Sequence, residues 1–407
     1  MSKIYVKHSA DGDRVPFLRG ILTQSLVKSG IGFEDAYLVA QEIKDSYTED
    51  TEITTSNLKS QVGKLIGARF GQVQRDCYDN ADLLSTDITV TSSSGSDHFS
   101  IGLLTHSLEA CAIDSEVATG AARCVYEKLQ FSGAREVDRI VLQNIIYNCL
   151  RNGFDNESAS RYMAWKRFKK SGRPLIILLG GVTGAGKSTI ASEISYRLNI
   201  TGIQSTDLMR EIIRSYLIPP VVPTLGYSSF EAWRGLKIAA TDSGVRHQTK
   251  VIMGFLSQME TMLPALEATL KRALKEGHSL ILEGVHIMPN RLNLGPLKEE
   301  ALIVPVFVAA MSKTALQKRF RKRGSEHAAR NASRYIEHFE DIWELQSFLL
   351  DEADEAGISI INSGNMEEAI KGILEEITNI VVKQYLENPG PENSVLKNPL
   401  MENKEPG

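Results

Sequence analysis

Hydrophobic positions along the chain obey two different rules, and the change falls near residue 173. Before it, apolar residues recur at spacings of three and four, as in Ala36, Val39, Ala40 and Ile43, and again in Val117, Ala121, Val125 and Leu129. Such spacing gathers them on one face of an α-helix, which turns once every ~3.6 residues. Further helical patterns cover Leu58–Ile66 and Val137–Leu150. Residues Phe17–Leu26 recur as Phe99–Leu108, 82 positions on, with Phe, Gly, Leu, Thr, Ser and Leu in register and no gap. The match predicts a duplicated, mainly helical module of roughly 80 residues. Between the copies, Ser85–Ser96 is rich in Ser and Thr, with Val and Ile alternating in DITVTSSS. It reads either as the first strand of the second module or as a flexible linker.

From Arg173 onward the apolar residues form short unbroken runs: 174–181 (PLIILLGG), 278–285 (HSLILEGV), 302–309 (LIVPVFVA) and 357–363 (GISIINS). Unbroken runs are what strands buried on both faces of a parallel sheet require. Each follows a helical stretch, and strand-like Gly202–Ser205 lies between the first two. Such alternation predicts an α/β fold with a doubly wound parallel sheet. The final twenty or so residues, rich in Pro, Asn and Glu, lack apolar periodicity and are expected to be a disordered tail. The expected division is 1–84 and 85–172 for the two modules, 173–385 for the α/β domain and 386–407 for the tail.

Composition narrows the picture. A chain of 407 residues, 42% hydrophobic and 24% charged, suits two or three ordinary globular domains. A net charge of −4 provides no whole-chain attraction to nucleic acid or anionic lipid. Cys77, Cys111, Cys124 and Cys149 form no CxxC pair, so reduced thiols are expected rather than a zinc site or disulfide framework. The beginning, MSKIYVKHSADGD, lacks the apolar run of a signal peptide, and no stretch approaches the ~18 apolar residues of a membrane span. A cytoplasmic protein with neither membrane nor nucleic-acid partners is expected.

The strongest chemical signal is Gly181-Val-Thr183-Gly184-Ala185-Gly186-Lys187-Ser188, which matches the phosphate-loop pattern G-x-x-x-x-G-K-[ST] in full. It has the required context, a buried strand before and an amphipathic helix, Ser188–Leu198, after. Glycines let the main chain turn its N–H groups inward around phosphates with no Cβ in the way. The helix N-terminus adds partial positive charge where the anion sits. The segment from Gly181 to Thr189 is therefore the expected ATP site, with Lys187 on the β- and γ-phosphates and Ser188 on Mg²⁺.

What distinguishes a kinase from a switch or motor lies further on. Gly202–Ser205 runs into Thr206-Asp207-Leu-Met-Arg210-Glu-Ile-Ile-Arg214, where Arg210 and Arg214 share a helical face. Two arginines beside a carboxylate at the carboxyl edge of a sheet suit an anionic acceptor, with Asp207 orienting a hydroxyl. The alternative is a solvated helix face with Asp207 as its cap. Glu283, at the tip of its strand, is expected at Mg²⁺ or at the nucleophile, and His286 is either an acceptor contact or a loop residue. The basic run from Lys313 to Arg323, with Arg330 and Arg334 beyond, reads as a lid in which Arg319, Arg321 and Arg323 stabilise the transferred phosphoryl.

Together, GGVTGAGKST, STDLMREIIR, VPTLGYSSFEAW, VIMGF and LILEGVHIMP resemble the 2-phosphoglycerate kinases of archaeal type, over roughly 174–380. The resemblance implies a nucleoside-monophosphate-kinase-like P-loop fold and ATP-dependent phosphorylation of the 3-hydroxyl of 2-phosphoglycerate. It implies ATP at Gly181–Thr189, the acceptor at Asp207 and Arg210, and Glu283 at the metal or nucleophile. The N-terminal part, through Ile4–His8 and Pro16–Arg19, resembles an ATP-cone, a small helical nucleotide-sensing module. Its departures are the turn His8-Ser-Ala-Asp11-Gly12 and Ile21, where a lysine is common, while the second copy has Ile101 where the first has Arg19. Arg161–Lys166 is similar to the module's closing aromatic-basic stretch. Tandem modules are the expected route to any homo-oligomer, with a regulatory or structural role. Competing readings are a kinase for another phosphorylated alcohol, such as an inositol phosphate or sugar acid, a regulatory ATP sensor, and a polynucleotide 5′-kinase.

Each kinase reading requires Lys187. Lys187→Ala should abolish ADP production and retention of nucleotide in magnesium buffer, and unchanged turnover in a coupled assay would refute the assignment.

Overall fold

The structure is a computed structural model that describes residues 5–7, 14–17, 19–28, 31, 33–47, 52–72, 75, 78, 88–92, 95–132, 135–217, 221–236, 245–326 and 329–387. The chain folds as two compact units, Met1–Phe99 with Tyr126–Leu142, and Ser100–Val125 with Gln143–Gly407.

In the first unit, β1 (Tyr5–Lys7) pairs antiparallel with β2 (Arg14–Pro16) and parallel with β3 (Glu52–Thr54). Helices α1 (Arg19–Lys28), α2 (Phe33–Asp45) and α3 (Thr55–Phe70) enclose Leu22, Leu26, Val39, Ile43, Val62 and Ile66. The second set of strands repeats this plan: β4 (Thr89–Ser92) pairs antiparallel with β5 (Gly95–His98) and parallel with β6 (Glu136–Asp138). The orders β2-β1-β3 and β5-β4-β6 are the same topology, so the duplication seen in the residues is also one of strand pairing. DITVTSSS is thus strand rather than linker over Thr89–Ser92. Val137 lies in β6, and the helix expected from it begins at Arg139. A three-residue strand carries too little alternation to interrupt a helical pattern. The basic-Asp-Gly turn at His8, Asp11 and Gly12 and the tail after 387 lie outside the described residues.

The second unit contains helices α4 (Ile101–Glu109), α5 (Ser115–Phe131) and α6 (Arg139–Gly153), these last two shared with the first unit, and α7 (Asn156–Ser171). They precede a five-stranded parallel sheet of order β11-β10-β7-β9-β8. Its strands are β7 (Leu175–Gly180), β8 (Gly202–Ser205), β9 (Leu280–Gly284), β10 (Leu302–Ala309) and β11 (Ser359–Asn362). Every residue of β7 and β9 is buried, the burial that their unbroken apolar runs predict. Ile176, Leu178, Leu280 and Leu282 pack into one core with α10 (His247–Lys275) and α13 (Phe339–Glu355). Helices α8 (Lys187–Leu198) and α14 (Met366–Val382) also pack against the sheet. The expected α/β fold with a parallel P-loop sheet is what forms. Helix α7, which carries the aromatic-basic stretch, is fastened to α14 by Trp165 Nε1, which donates to Thr378 Oγ1 at 3.0 Å. The expected division at 84 and 172 follows the repeat rather than these compact units.

Between α9 (Thr206–Tyr216) and α10 the chain makes two 3₁₀ turns, Pro223–Gly226 and Ser229–Gly235. The second lies against α10 at Gly254, where an added Cβ would meet Trp233 N at 2.1 Å. Backbone there cannot yield as a side-chain tip can. Gly254→Ala should therefore cost about 1–3 kcal/mol, as overpacking does, and lower the midpoint of thermal unfolding; an unchanged midpoint would contradict the packing.

Candidate active site

Three parallel strands end level with one another: Leu179 pairs with Glu283, and Glu283 with Ser205. Their carboxyl ends form the edge at which open α/β sheets hold ligands. From β7 the chain enters the loop with Gly181, Gly184 and Gly186 at φ 141°, 81° and 91°. A Cβ on Gly181 would lie 2.3 Å from Val308 O, and one on Gly184 2.4 Å from Phe320 Cε1. The first glycine admits the neighbouring strand and the second admits an aromatic ring, while Gly186 leads into α8 at Lys187. Lys187 is buried and donates from Nζ to Val182 O at 2.9 Å. Ser188 Oγ donates to Glu283 Oε1 at 3.0 Å, and Glu283 is buried.

This arrangement fits a magnesium-bound nucleoside triphosphate. Three glycines at positive φ turn the loop with no Cβ of their own, and a hydroxyl and a carboxylate sit together as hard oxygen donors.

Beside the loop is a cavity of about 270 Å³ lined by Thr183, Asp207, Leu208, Arg210, Glu211, Ser228, Ser229, Phe230 and Tyr335. Helix α9 is preceded by Ser205 at its cap position, so Asp207 stands inside the first turn and is not the cap. Arg210 donates to Tyr227 O and, at 2.8 Å, to Glu211 Oε1. Arg214 corrects an expectation: its guanidinium meets Glu211 Oε2 at 2.6 Å, is 45% exposed and does not line the cavity. Glu211 pairs with both arginines of that helical face, but Arg214, one turn further on, lies beyond the lining of the cavity.

His286 requires a second correction. It is fully buried and does not line the cavity. Gln258 Nε2 donates to Thr224 O at 2.7 Å and Tyr227 O at 3.1 Å, which leaves its Oε1 as acceptor. His286 Nε2, 2.9 Å from that oxygen, therefore carries the ring proton, and Nδ1 accepts from Thr206 Oγ1 at 3.1 Å. Burial lowers its pKa to about 4, opposed by the charge of Asp207 and reinforced by Arg210 and Lys187. The neutral imidazole joins the residue before Asp207 to the turn whose Tyr227 carbonyl receives Arg210.

The basic segment forms α11 (Lys313–Glu326) and α12 (Ala329–Glu337). Arg319 was expected at the transferred phosphoryl; instead Nη1 donates to Ala185 O at 3.2 Å and to Ser363 Oγ at 2.7 Å, and Nη2 to Ser363 O. Burial lowers its pKa. With carbonyls of the phosphate loop and of the turn after β11 as partners, Arg319 braces the loop from behind. The side chain of Arg323 lies outside the described residues.

Sequence reasoning assigned no role to Gln258, Glu231 or Tyr335. Gln258 had a visible signal, a lone amide among Val251, Phe255, Met259 and Met262 on the core-facing stripe of α10.

Residues 173–256 match the family model for adenylylsulphate kinase. The chain is 36% identical to the 2-phosphoglycerate kinase of Pyrococcus furiosus over 279 residues, 69% of this chain and 89% of that protein. The 2-phosphoglycerate kinase of Methanopyrus kandleri is 36% identical over 290 residues, 70% of this chain and 85% of that protein. That of Methanocaldococcus jannaschii is 32% identical over 295 residues, 72% and 92% of the two chains. These matched stretches are longer than the segment from 173 to 407, so they extend into the preceding helices.

A buried neutral His286 makes stability depend on pH. Between pH 6.5, the ordinary value, and about 4, the unfolded chain takes up a proton that the folded one refuses. The ring's contribution is complete above pH 6.5, is lost as pH falls towards 4 and then levels off. The stability advantage of the wild type over His286→Asn should shrink across that window in thermal unfolding scans. A pH-independent difference would show that the ring is not held neutral.

Proposed function

The chain belongs to the 2-phosphoglycerate kinase family, and from that premise we propose that it transfers the γ-phosphate of ATP to the free hydroxyl of 2-phosphoglycerate, giving 2,3-bisphosphoglycerate. The observation that carries this reading is that Thr183 of the phosphate loop itself lines the cavity holding Asp207 and Arg210. Donor and acceptor sites thus share a wall, as direct transfer requires.

In this account the main-chain amides of Gly181–Thr189 cradle the triphosphate, and the ammonium of Lys187 turns from Val182 O to the β- and γ-phosphates. When bound, Mg²⁺ neutralises charge on the phosphates, held on the protein side by Ser188 and Glu283. Glu283 being engaged with Ser188, Asp207 is the carboxylate that orients the acceptor hydroxyl and receives its proton. Arg210, pre-positioned by Tyr227 O and Glu211, binds the acceptor's phosphate or carboxylate. Exposed lid cations, Arg321 among them, then balance charge on the transferred group. The protein acts in the cytoplasm, and among the described residues no helix is long and apolar enough to cross a membrane.

A coupled ADP-release assay over phosphorylated hydroxy acids and polyols tests the substrate. 2-Phosphoglycerate should give the highest kcat/KM; a higher value for an inositol phosphate or sugar acid would overturn the assignment, and slow turnover indifferent to every acceptor would favour a nucleotide sensor. Arg210→Ala removes charged hydrogen bonds worth about 1.5–3 kcal/mol, so the acceptor KM should rise about 10- to 100-fold with little change for ATP. Equal changes in both constants would count against an acceptor role.

A further inference from the structure

One buried carboxylate has no part in the chemistry described so far. Glu231 lies in the turn Ser229–Gly235, directly after the cavity residues Ser228, Ser229 and Phe230, and its side chain is 4% exposed. A desolvated carboxylate persists where cations and hydrogen-bond donors surround it. Those around Glu231 come largely from the lid side: Arg334 of α12 pairs with Oε2, and His338 Nε2, at the cap of α13, lies 3.2 Å from Oε1. Arg234 of its own turn completes the set at 3.4 Å.

The consequence lies one residue along α12. Tyr335 lines the cavity together with Asp207 and Arg210, and its ring sits between Phe230, with centroids 6.1 Å apart and an edge-to-face tilt, and Phe320, stacked at 5.2 Å. Phe320 in turn fills the space that Gly184 leaves open in the phosphate loop. Tyr335 is therefore wedged between the acceptor turn and the ring that supports the loop. Its ring can keep that place only while α12 is held against the turn.

We propose that Tyr335 is a specificity-determining residue that closes the acceptor pocket, and that Glu231 is the positioning residue that latches α12 in place through Arg334 and His338. The proposal rests on the kinase reading above, since it concerns the acceptor side of the same site. It names the acceptor class by size: a cavity of about 270 Å³ is smaller than the ~300–1,000 Å³ of pockets for drug-sized ligands. A phosphorylated acid of a few carbons suits a cavity of that size, closed on one side by Tyr335.

The test compares wild type with Tyr335→Ala, Tyr335→Phe, Glu231→Gln and Arg334→Gln, each checked for an intact thermal transition. Tyr335→Ala should raise the KM for 2-phosphoglycerate about tenfold or more, leave that for ATP unchanged, and let phosphorylated acids of longer carbon chain compete better. Tyr335→Phe, which keeps the ring, should restore the size preference. Glu231→Gln should raise the acceptor KM and acceptor-independent ATP hydrolysis together, and its effect should not add to that of Arg334→Gln. Because Arg334 is about half exposed, the latch can be broken from that side if Glu231→Gln fails to fold. Hydrogen exchange gives a readout independent of the substrate: amides of α12 should exchange faster in both latch variants than in wild type. An unchanged acceptor KM and size preference in Tyr335→Ala, with wild type active on 2-phosphoglycerate, would overturn the role of Tyr335; unchanged exchange in α12 would overturn the latch. Wild type inactive on every acceptor, with α12 exchange still accelerated by the variants, would sink the kinase reading and spare the latch.

Discussion

The level ending of β7, β9 and β8 is the constraint on which the rest of the site depends. Parallel pairing puts Leu179, Glu283 and Ser205 abreast, so the phosphate loop, the buried carboxylate and helix α9 all begin at one edge. Ser188 reaches Glu283 across 3.0 Å because α8 starts as soon as the loop has turned. A slip in register would move Glu283 along its strand and away from the serine, whatever the local sequences. The glycines serve the same constraint from the other side, since Gly181 must pass Val308 O where no Cβ fits.

Above that edge the polar groups are mutually satisfied rather than individually placed. Thr206, His286, Gln258 and the carbonyls of Thr224 and Tyr227 form one chain of donors and acceptors with an unambiguous direction. Such a chain in a low-dielectric interior is costly to leave half made, so it favours a single arrangement of the acceptor turn. Arg210 is tied to the same Tyr227 carbonyl, which couples the charge facing the cavity to the buried network beneath it. An arginine held in this way has little side-chain freedom left to lose, and that is the physical use of burying a histidine and a glutamine here.

The legible parts of the sequence were those governed by local periodicity or by main-chain geometry. Unbroken apolar runs marked four of the five strands of the large sheet, whereas β8, with no such run, showed only as a strand-like stretch before its helix, and the phosphate loop declared itself because its glycines answer to φ and close approach rather than to distant partners. Strand order, by contrast, is a matter of long-range pairing. The three-residue strands of the duplicated module were too short to show alternation, and Val137 was absorbed into a helix for that reason. Side-chain roles were misread where a residue's partner lies far along the chain. Arg319 reads as a lid cation but donates to Ser363 and Ala185, and His286, which reads either as an acceptor contact or as a loop residue, is enclosed by Gln258 and Thr206.

That distinction also bears on how the site divides its labour. The match to the adenylylsulphate kinase family model covers 173–256, the stretch that contains the phosphate loop, Asp207, Arg210 and the turn with Glu231. It stops short of Gln258, His286 and the two helices after β10. Holding a triphosphate is a problem of main-chain amides and one ammonium, and a contiguous strand, loop and helix solve it. Enclosing a cavity needs surfaces from several directions, and here they come from α9, from the turn at Ser228–Phe230 and from Tyr335 on α12, some fifty residues beyond the last strand of the triad. A local pattern therefore identifies the phosphate loop, while the cavity beside it is legible only once the sheet has brought its separate walls together.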